Sequence, residues 1–290
     1  MAERGLDRHT LACEAMATTF KVTVVHADPL YARQAAAAAL ADLDRIEGRL
    51  SRFVETSDIS RINRLERGQE TVVQLDTFEC LAIALEVGRE TGGAFDVAYG
   101  SVAPWSAGPR FELNAQTHSV RLLADGARLD LGGIGKGFAL DRMAAILADW
   151  DLPAARLAAS TSTILGIGSP LGEEGWPITF GPECDLRRAR LRNRALSGSG
   201  TAVKGSHIID PRTKRPVQGR FRAWAAAPAG ALADALSTAF MVMTAAEIRG
   251  YSRRHAEVSA WWQDSPFEDA TIDAADCRDV FLKQTGRGAP

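Results

Sequence analysis

Cysteine is scarce in this chain. The four cysteines, at 13, 80, 184 and 277, stand far apart, with no C-x-x-C pair and no His/Cys cluster at zinc-ligand spacing. That argues against a disulfide framework and reads as buried or incidental thiols. Charge of one sign is missing too: 34 Lys and Arg against 36 Asp and Glu leave a net charge of −2. Such a balance gives no footprint for nucleic acid or an anionic membrane. No run approaches the roughly 20 apolar residues of a membrane span. Glu3, Arg4, Asp7, Arg8 and Glu14 interrupt any apolar stretch of a secretory leader, so a cytoplasmic location and a flexible segment over 1–12 are expected. Internal repeats and low-complexity linkers are also missing. The 290 residues, 46 % hydrophobic, are expected to form one unit over 1–290 with a large core.

Hydrophobic periodicity assigns the elements. Alternation from Phe20 predicts a strand within 16–26, and Ala37, Leu40, Leu43, Ile46 and Leu50 predict one long amphipathic helix over 30–50. Ser57-Asp-Ile-Ser60 opens a short helix ending near Gly68, and 76–91 is a second amphipathic helix ended by Gly92-Gly93. Residues 119–124 and 127–131 predict a hairpin around Asp125-Gly126. Helices over 136–150 and 231–249 flank a stretch of strands and loops, with a strand over 223–227 and another around Trp261-Trp262. This order predicts an α+β fold, a compact mixed unit of antiparallel or mixed sheets with packed helices.

The most informative segment is Leu129-Asp-Leu-Gly-Gly-Ile-Gly-Lys-Gly137, a glycine-rich turn between a short apolar run and a helix. Glycines let backbone approach a ligand, and a helix N-terminus offers free N–H groups to phosphate. The turn is neither a Walker A loop nor a G-x-G-x-x-G fingerprint. Taken alone, it fits a phosphate cradle or a plain strand-to-helix turn equally. Asp234 and Thr238, four apart on a predicted helix, share a face and offer hard oxygen ligands for Mg²⁺. By themselves they fit better an acid in a first helical turn and a threonine bonded back to a carbonyl. His207, before Ile208-Ile-Asp210-Pro211, is a base, a phosphate ligand or an ordinary turn histidine. Gly92-Gly-Ala-Phe-Asp96 reads alone as a helix cap followed by core packing.

Together these segments carry more. Met16-Ala-Thr-Thr-Phe20, Leu50-Ser-Arg-Phe53 with Ser57-Asp-Ile-Ser-Arg-Ile-Asn63, Gly92 to Asp96, Asp130 to Gly137, His207-Ile-Ile-Asp-Pro-Arg-Thr213 and Ala233-Asp-Ala-Leu-Ser-Thr-Ala239 follow one another along almost the whole chain. In that order they resemble the FAD:protein FMN transferase (ApbE-like) family. The resemblance implies a Mg²⁺-dependent enzyme with FAD as substrate. Such an enzyme splits FAD, releases AMP and joins FMN through a phosphoester to a Thr or Ser of an acceptor flavoprotein. It implies that Met16 and Phe53 pack near the flavin, and that Ala94, Phe95, Asp96, Asp130, Lys136 and Ile208 line the FAD site. The metal would be held by the Gly133 carbonyl, Asp234 and Thr238, with Ser237 nearby. His207 and Asp234 are the implied catalytic residues, His207 as the group that activates the acceptor hydroxyl or steadies the transferring phosphate.

Three departures from the family pattern stand out. Ala159-Ser-Thr-Ser-Thr-Ile-Leu-Gly166 replaces a Gly-Gly-Asp/Asn turn, the segment Ser197–Thr201 before His207 is short, and Lys214 stands where glycine is usual. They touch acceptor recognition and the rim of the FAD pocket, not the metal ligands. An FAD pyrophosphatase and a non-catalytic FAD-binding protein are the competing readings.

Overall fold

The computed structural model describes residues 6–100, 108–201, 208–265 and 271–275. It opens with a hairpin of β1 (Asp7–Ala15) and β2 (Thr18–His26). Residues 7–12 are therefore strand, a correction to the flexible segment expected over 1–12, and their side chains alternate across the sheet beside β2. α1 (Pro29–Ala41) starts at Asp28, whose carboxylate accepts from the Leu30 and Tyr31 N–H groups. α2 (Leu43–Leu50) follows at once. The single helix expected over 30–50 is thus two, meeting at Asp42: α1 buries small alanines, whereas α2 buries Leu43, Ile46 and Leu50. α3 (Asp58–Ile62), capped by Ser57, stops well before Gly68.

β3 (Glu70–Val72), α4 (Leu75–Glu90), β4 (Phe111–Asn114) and β5 (Ser119–Leu122) come next, with a small antiparallel sheet in the order β3-β5-β4. The hairpin expected around Asp125-Gly126 is not formed, because β5 pairs with β4 instead. Residues 127–131 make no strand. The Asn63 amide takes the place of a neighbouring strand there, accepting from Leu129 N–H at 2.6 Å and donating to Leu129 C=O at 2.9 Å.

Beyond the glycine turn come α5 (Gly135–Asp149), β6 (Ala155–Ala159), β7 (Thr163–Ile167), β8 (Trp176–Phe180), β9 (Arg187–Leu191) and β10 (Arg194–Gly200). The chain continues through β11 (Ile209–Asp210), β12 (Arg215–Pro216), β13 (Arg222–Ala227), α6 (Gly230–Val242), α7 (Ala245–Arg254), β14 (Ser259–Gln263) and β15 (Asp273–Ala275). The helix expected over 231–249 breaks at Met243. Thr244 and Glu247 form a reciprocal capping box that starts α7 afresh.

One eight-stranded antiparallel sheet, ordered β1-β2-β6-β7-β10-β13-β14-β15, organises the molecule. Alternation along its strands builds two cores. Ala223, Ala225 and Ala227 of β13 join the large core with α1, α5 and α6, while Trp224 and Ala226 turn to a smaller one with Ile178, Phe180, Leu191 and Trp261. Alanines on the first face bring α6 close. α6 also meets α5 backbone to backbone: a Cβ on Gly137 would stand 2.0 Å from the Gly230 carbonyl oxygen. Asp141 of α5 fixes that crossing, accepting from the Gly230 N–H at 2.6 Å and the Ala231 N–H at 2.8 Å. Burial pushes its carboxyl up from the usual carboxylate range.

Candidate functional site

The crossing of α5 and α6 sets Asp234 beside the glycine turn. Its carboxylate, 3 % exposed, accepts from four donors. Ser197 Oγ of β10 lies 3.0 Å and Thr163 Oγ1 of β7 3.4 Å from Oδ1. The Gly137 N–H lies 3.1 Å and Lys136 Nζ 3.4 Å from Oδ2. A charge taken out of water is tolerated when hydrogen bonds surround it in this way. Lys136 Nζ also donates to the Gly132 carbonyl, so the ammonium is poised over the loop. Thr238 Oγ1 donates back to the Asp234 carbonyl at 3.3 Å and lies 3.2 Å from Ser199 Oγ. Ser199 Oγ is in turn 2.8 Å from Ser237 Oγ. Hydroxyls from two strands and one helix thus surround a single acid.

Asp130 is held from three sides. Its Oδ1 accepts from the Gly132 N–H at 2.9 Å and its Oδ2 from Tyr99 OH at 3.2 Å, and Arg52 Nε forms an ion pair with Oδ2 at 3.1 Å. Asp96 accepts the Ala98 N–H on one oxygen, while its other oxygen is buried with no hydrogen-bond partner among the described residues. Burial raises the Asp96 carboxyl above its ordinary range. Lys214, left-handed at φ +61°, donates to the Tyr99 carbonyl at 2.8 Å, and desolvation lowers its ammonium. Phe53 is 83 % exposed, with the Arg52 guanidinium 4.4 Å from its ring centroid.

A cleft of about 1080 Å³ gathers these groups. Met16, Phe53, Ala94, Phe95, Asp96, Asp130, Gly133, Lys136, Ile208, Asp234 and Thr238 all line it, although they come from segments spread over more than two hundred residues. His207 lies outside the described residues, directly before Ile208. Sequence reasoning missed Thr163, Ser197 and Ser199, the hydroxyls around Asp234 and Thr238. The signal was faint: Ser197-Gly-Ser199 places two small hydroxyls on one strand face. It also missed Glu47, Arg52 and Tyr99, whose roles appear only when their partners are brought in, and it singled out Lys214 only as a departure from the family pattern.

Asp234, the Thr238 hydroxyl and the Gly133 carbonyl are hard oxygen donors of the kind Mg²⁺ takes. That ion uses one or two carboxylates and leaves positions to phosphate and water. Glycine at 133 keeps room there, since a Cβ would stand 3.2 Å from Thr238 Oγ1 and 3.3 Å from Phe95 Cε2. Among the described residues, no group of three or more His, Cys, Asp or Glu gathers as a metal site. A carboxylate-poor centre of this kind suits an ion that arrives with a phosphate ligand.

The ApbE family model matches residues 16–262. The chain belongs to the ApbE family. Among curated ApbE relatives, the FAD:protein FMN transferase of Buchnera aphidicola subsp. Schizaphis graminum is 24 % identical over 214 residues, covering 60 % of this chain and 62 % of that protein, under two thirds of its length. The Rhodobacter capsulatus protein of the same name is 34 % identical over 139 residues, 43 % of this chain and 26 % of that protein. The apo crystal structure of Pseudomonas stutzeri flavinyl transferase ApbE superposes with a TM-score of 0.82 at 18 % identity, covering 95 % of this chain and 96 % of that one. The ApbE protein of Thermotoga maritima gives 0.77 at 24 % identity, covering 93 % and 97 %. The α+β architecture is therefore the ApbE fold. Among the described residues no helix is long and apolar enough to cross a membrane.

Proposed function

We propose that this chain is a Mg²⁺-dependent FAD:protein FMN transferase, acting as one unit. The observation that carries the reading is the Asp234 environment: a four-donor buried carboxylate beside Lys136 and the N-terminus of α5, inside a cleft lined by eleven residues that the family resemblance assigns. In this reaction the hydroxyl of an acceptor Thr or Ser attacks the phosphorus of the FMN half of FAD. The new phosphoester bond forms as the bond to the AMP phosphate oxygen breaks. AMP leaves with the electron pair, and the hydroxyl proton passes to a base. Asp234, Thr238 and the Gly133 carbonyl would hold Mg²⁺, which would supply charge neutralisation at the pyrophosphate. Lys136 and the N–H groups opening α5 add positive potential on the same side. Asp130, fixed by Tyr99 and Arg52, keeps the glycine turn in shape through the Gly132 N–H. His207 is the base or phosphate ligand of this proposal, since its neighbour Ile208 lines the cleft.

The proposal includes a cytoplasmic place of action and an acceptor there, which the unpaired thiols of Cys13, Cys80 and Cys184 suit. Cell fractionation tests this, and recovery of the protein outside the cytoplasm refutes it. The activity is tested by incubating the protein with FAD, Mg²⁺ and an acceptor domain carrying a Thr in a flavinylation segment. In-gel flavin fluorescence and AMP release are read together. Fluorescent acceptor that disappears in Asp234→Ala is the expected result. AMP without labelling points to a pyrophosphatase, and bound FAD with neither product to a binding protein.

A further inference from the structure

The two-residue turn joining β1 to β2, closed by the Ala15–Thr18 pair, holds both of its residues left-handed: Met16 at φ +50° and Ala17 at φ +56°. Such hairpin turns ordinarily take Asn-Gly or Gly-Gly, because a Cβ is crowded in this conformation. Neither Met nor Ala has a short polar side chain to relieve it. A conformation of this kind persists only when something outside the turn holds it. The structure supplies that restraint from another element, since Glu47 Oε2 of α2 accepts the Met16 N–H at 2.8 Å. α2 is itself anchored by the buried side chains Leu43, Ile46 and Leu50. On the far side of the turn, the Met16 Cε methyl lies 3.3 Å from where a Cβ of Gly135 would stand. Met16, Ala17, Glu47, Gly135 and Lys136 all line the cleft.

We infer that Glu47 is a positioning residue for the flavin-side wall. Its carboxylate clamps the strained Met16–Ala17 turn so that Met16 rests over Gly135 beside Lys136 before any ligand arrives. The cost of ordering that wall is then met in folding rather than in binding. A carboxylate suits the task, because a charged acceptor makes a stronger bond to a backbone N–H than a neutral one. The inference rests on the proposed reading of the cleft as the FAD site.

The test compares Glu47→Ala, Glu47→Gln and the double variant Glu47→Ala/Ala17→Gly. FAD affinity is read by flavin fluorescence in Mg²⁺, and exchange of the Met16 amide is read in the ligand-free protein. Glu47→Ala is expected to weaken FAD binding about tenfold, the effect of losing one hydrogen bond to a charged group. Glu47→Gln keeps an acceptor oxygen and retains most of the affinity. Glycine at 17 relaxes the turn and restores part of what Glu47→Ala loses, a rescue that a general loss of folding would not show. In the ligand-free protein Glu47→Ala speeds exchange of the Met16 amide. Unchanged exchange, or unchanged affinity in Glu47→Ala, overturns the inference. A wild-type protein that binds no FAD overturns the functional reading together with the flavin half of this one, and amide exchange still decides whether the clamp exists.

Discussion

The two ends of the cleft are built in opposite ways. At the inner end Asp234 is buried and its two oxygens are engaged by groups from β7, β10 and α5. At the outer end Phe53 is largely exposed, steadied by the Arg52 guanidinium and by its own N–H bonded to Ser51 Oγ at 3.3 Å. The contrast separates two tasks. On the proposed function, the groups that would meet changing charge are fixed beforehand, which is how a site lowers a barrier without reorganising during the reaction. Those that would meet a flat ring and an incoming protein are left for the ligand to order, at a cost in affinity.

That division is tested most severely at the inner end. Asp234→Ala is expected to lower transferase turnover by at least about a hundredfold while the circular dichroism spectrum stays unchanged, on the scale of losing one preorganised electrostatic group. Turnover near wild type in that variant would dissolve the contrast. Ser197→Ala, one step back, is expected to weaken Mg²⁺ affinity by roughly tenfold, as when a group that orients a ligand is removed. A Mg²⁺ titration of activity measures it. At the outer end Phe53→Ala is expected to raise the KM for FAD about threefold with kcat retained, and to leave stability within about 0.5 kcal/mol, since an exposed side chain contributes little to folding. Steady-state kinetics and thermal melts read both quantities, and a kcat loss as large as that of Asp234→Ala would erase the difference between the ends.

The smallest expected effect lies between them, at Asp96. Burial raises its carboxyl above the unfolded value, so its contribution to stability is fully present below the ordinary Asp pKa of about 3.9 and is lost as pH rises through the raised value. Asp96→Asn removes that loss. The variant is expected to melt above wild type at pH 7, with the difference closing as pH falls toward about 3.9. Melting curves across that range check the sign.

Much of this arrangement was legible in the residues. The strong periodicity of 76–91 gave α4 to within a residue, and motif order placed distant segments on one cleft. What was illegible depended on long-range partners. No local pattern in 127–131 says that Asn63 will stand in for a strand, and alternation alone made those residues look like half of a hairpin. The break in the helix over 231–249 was readable in Thr244-Ala-Ala-Glu247, a capping signature overshadowed by the apolar period on either side. In the site, Asp234 carried a motif, but the hydroxyls of Thr163 and Ser197 are identified by distance rather than by spacing.

The glycine crossing at 137 and 230 bears on how such a sequence is free to drift. Each residue fills the room the other's side chain would need, so neither position accepts even alanine while its partner's backbone stays in place. Random mutagenesis under selection for function would find two nearly invariant columns, ninety-three positions apart in the numbering, while the exposed Phe53 tolerates more change. The depth of that contrast would show how far the packing of α5 on α6, rather than contact with a ligand, limits change in the sequence.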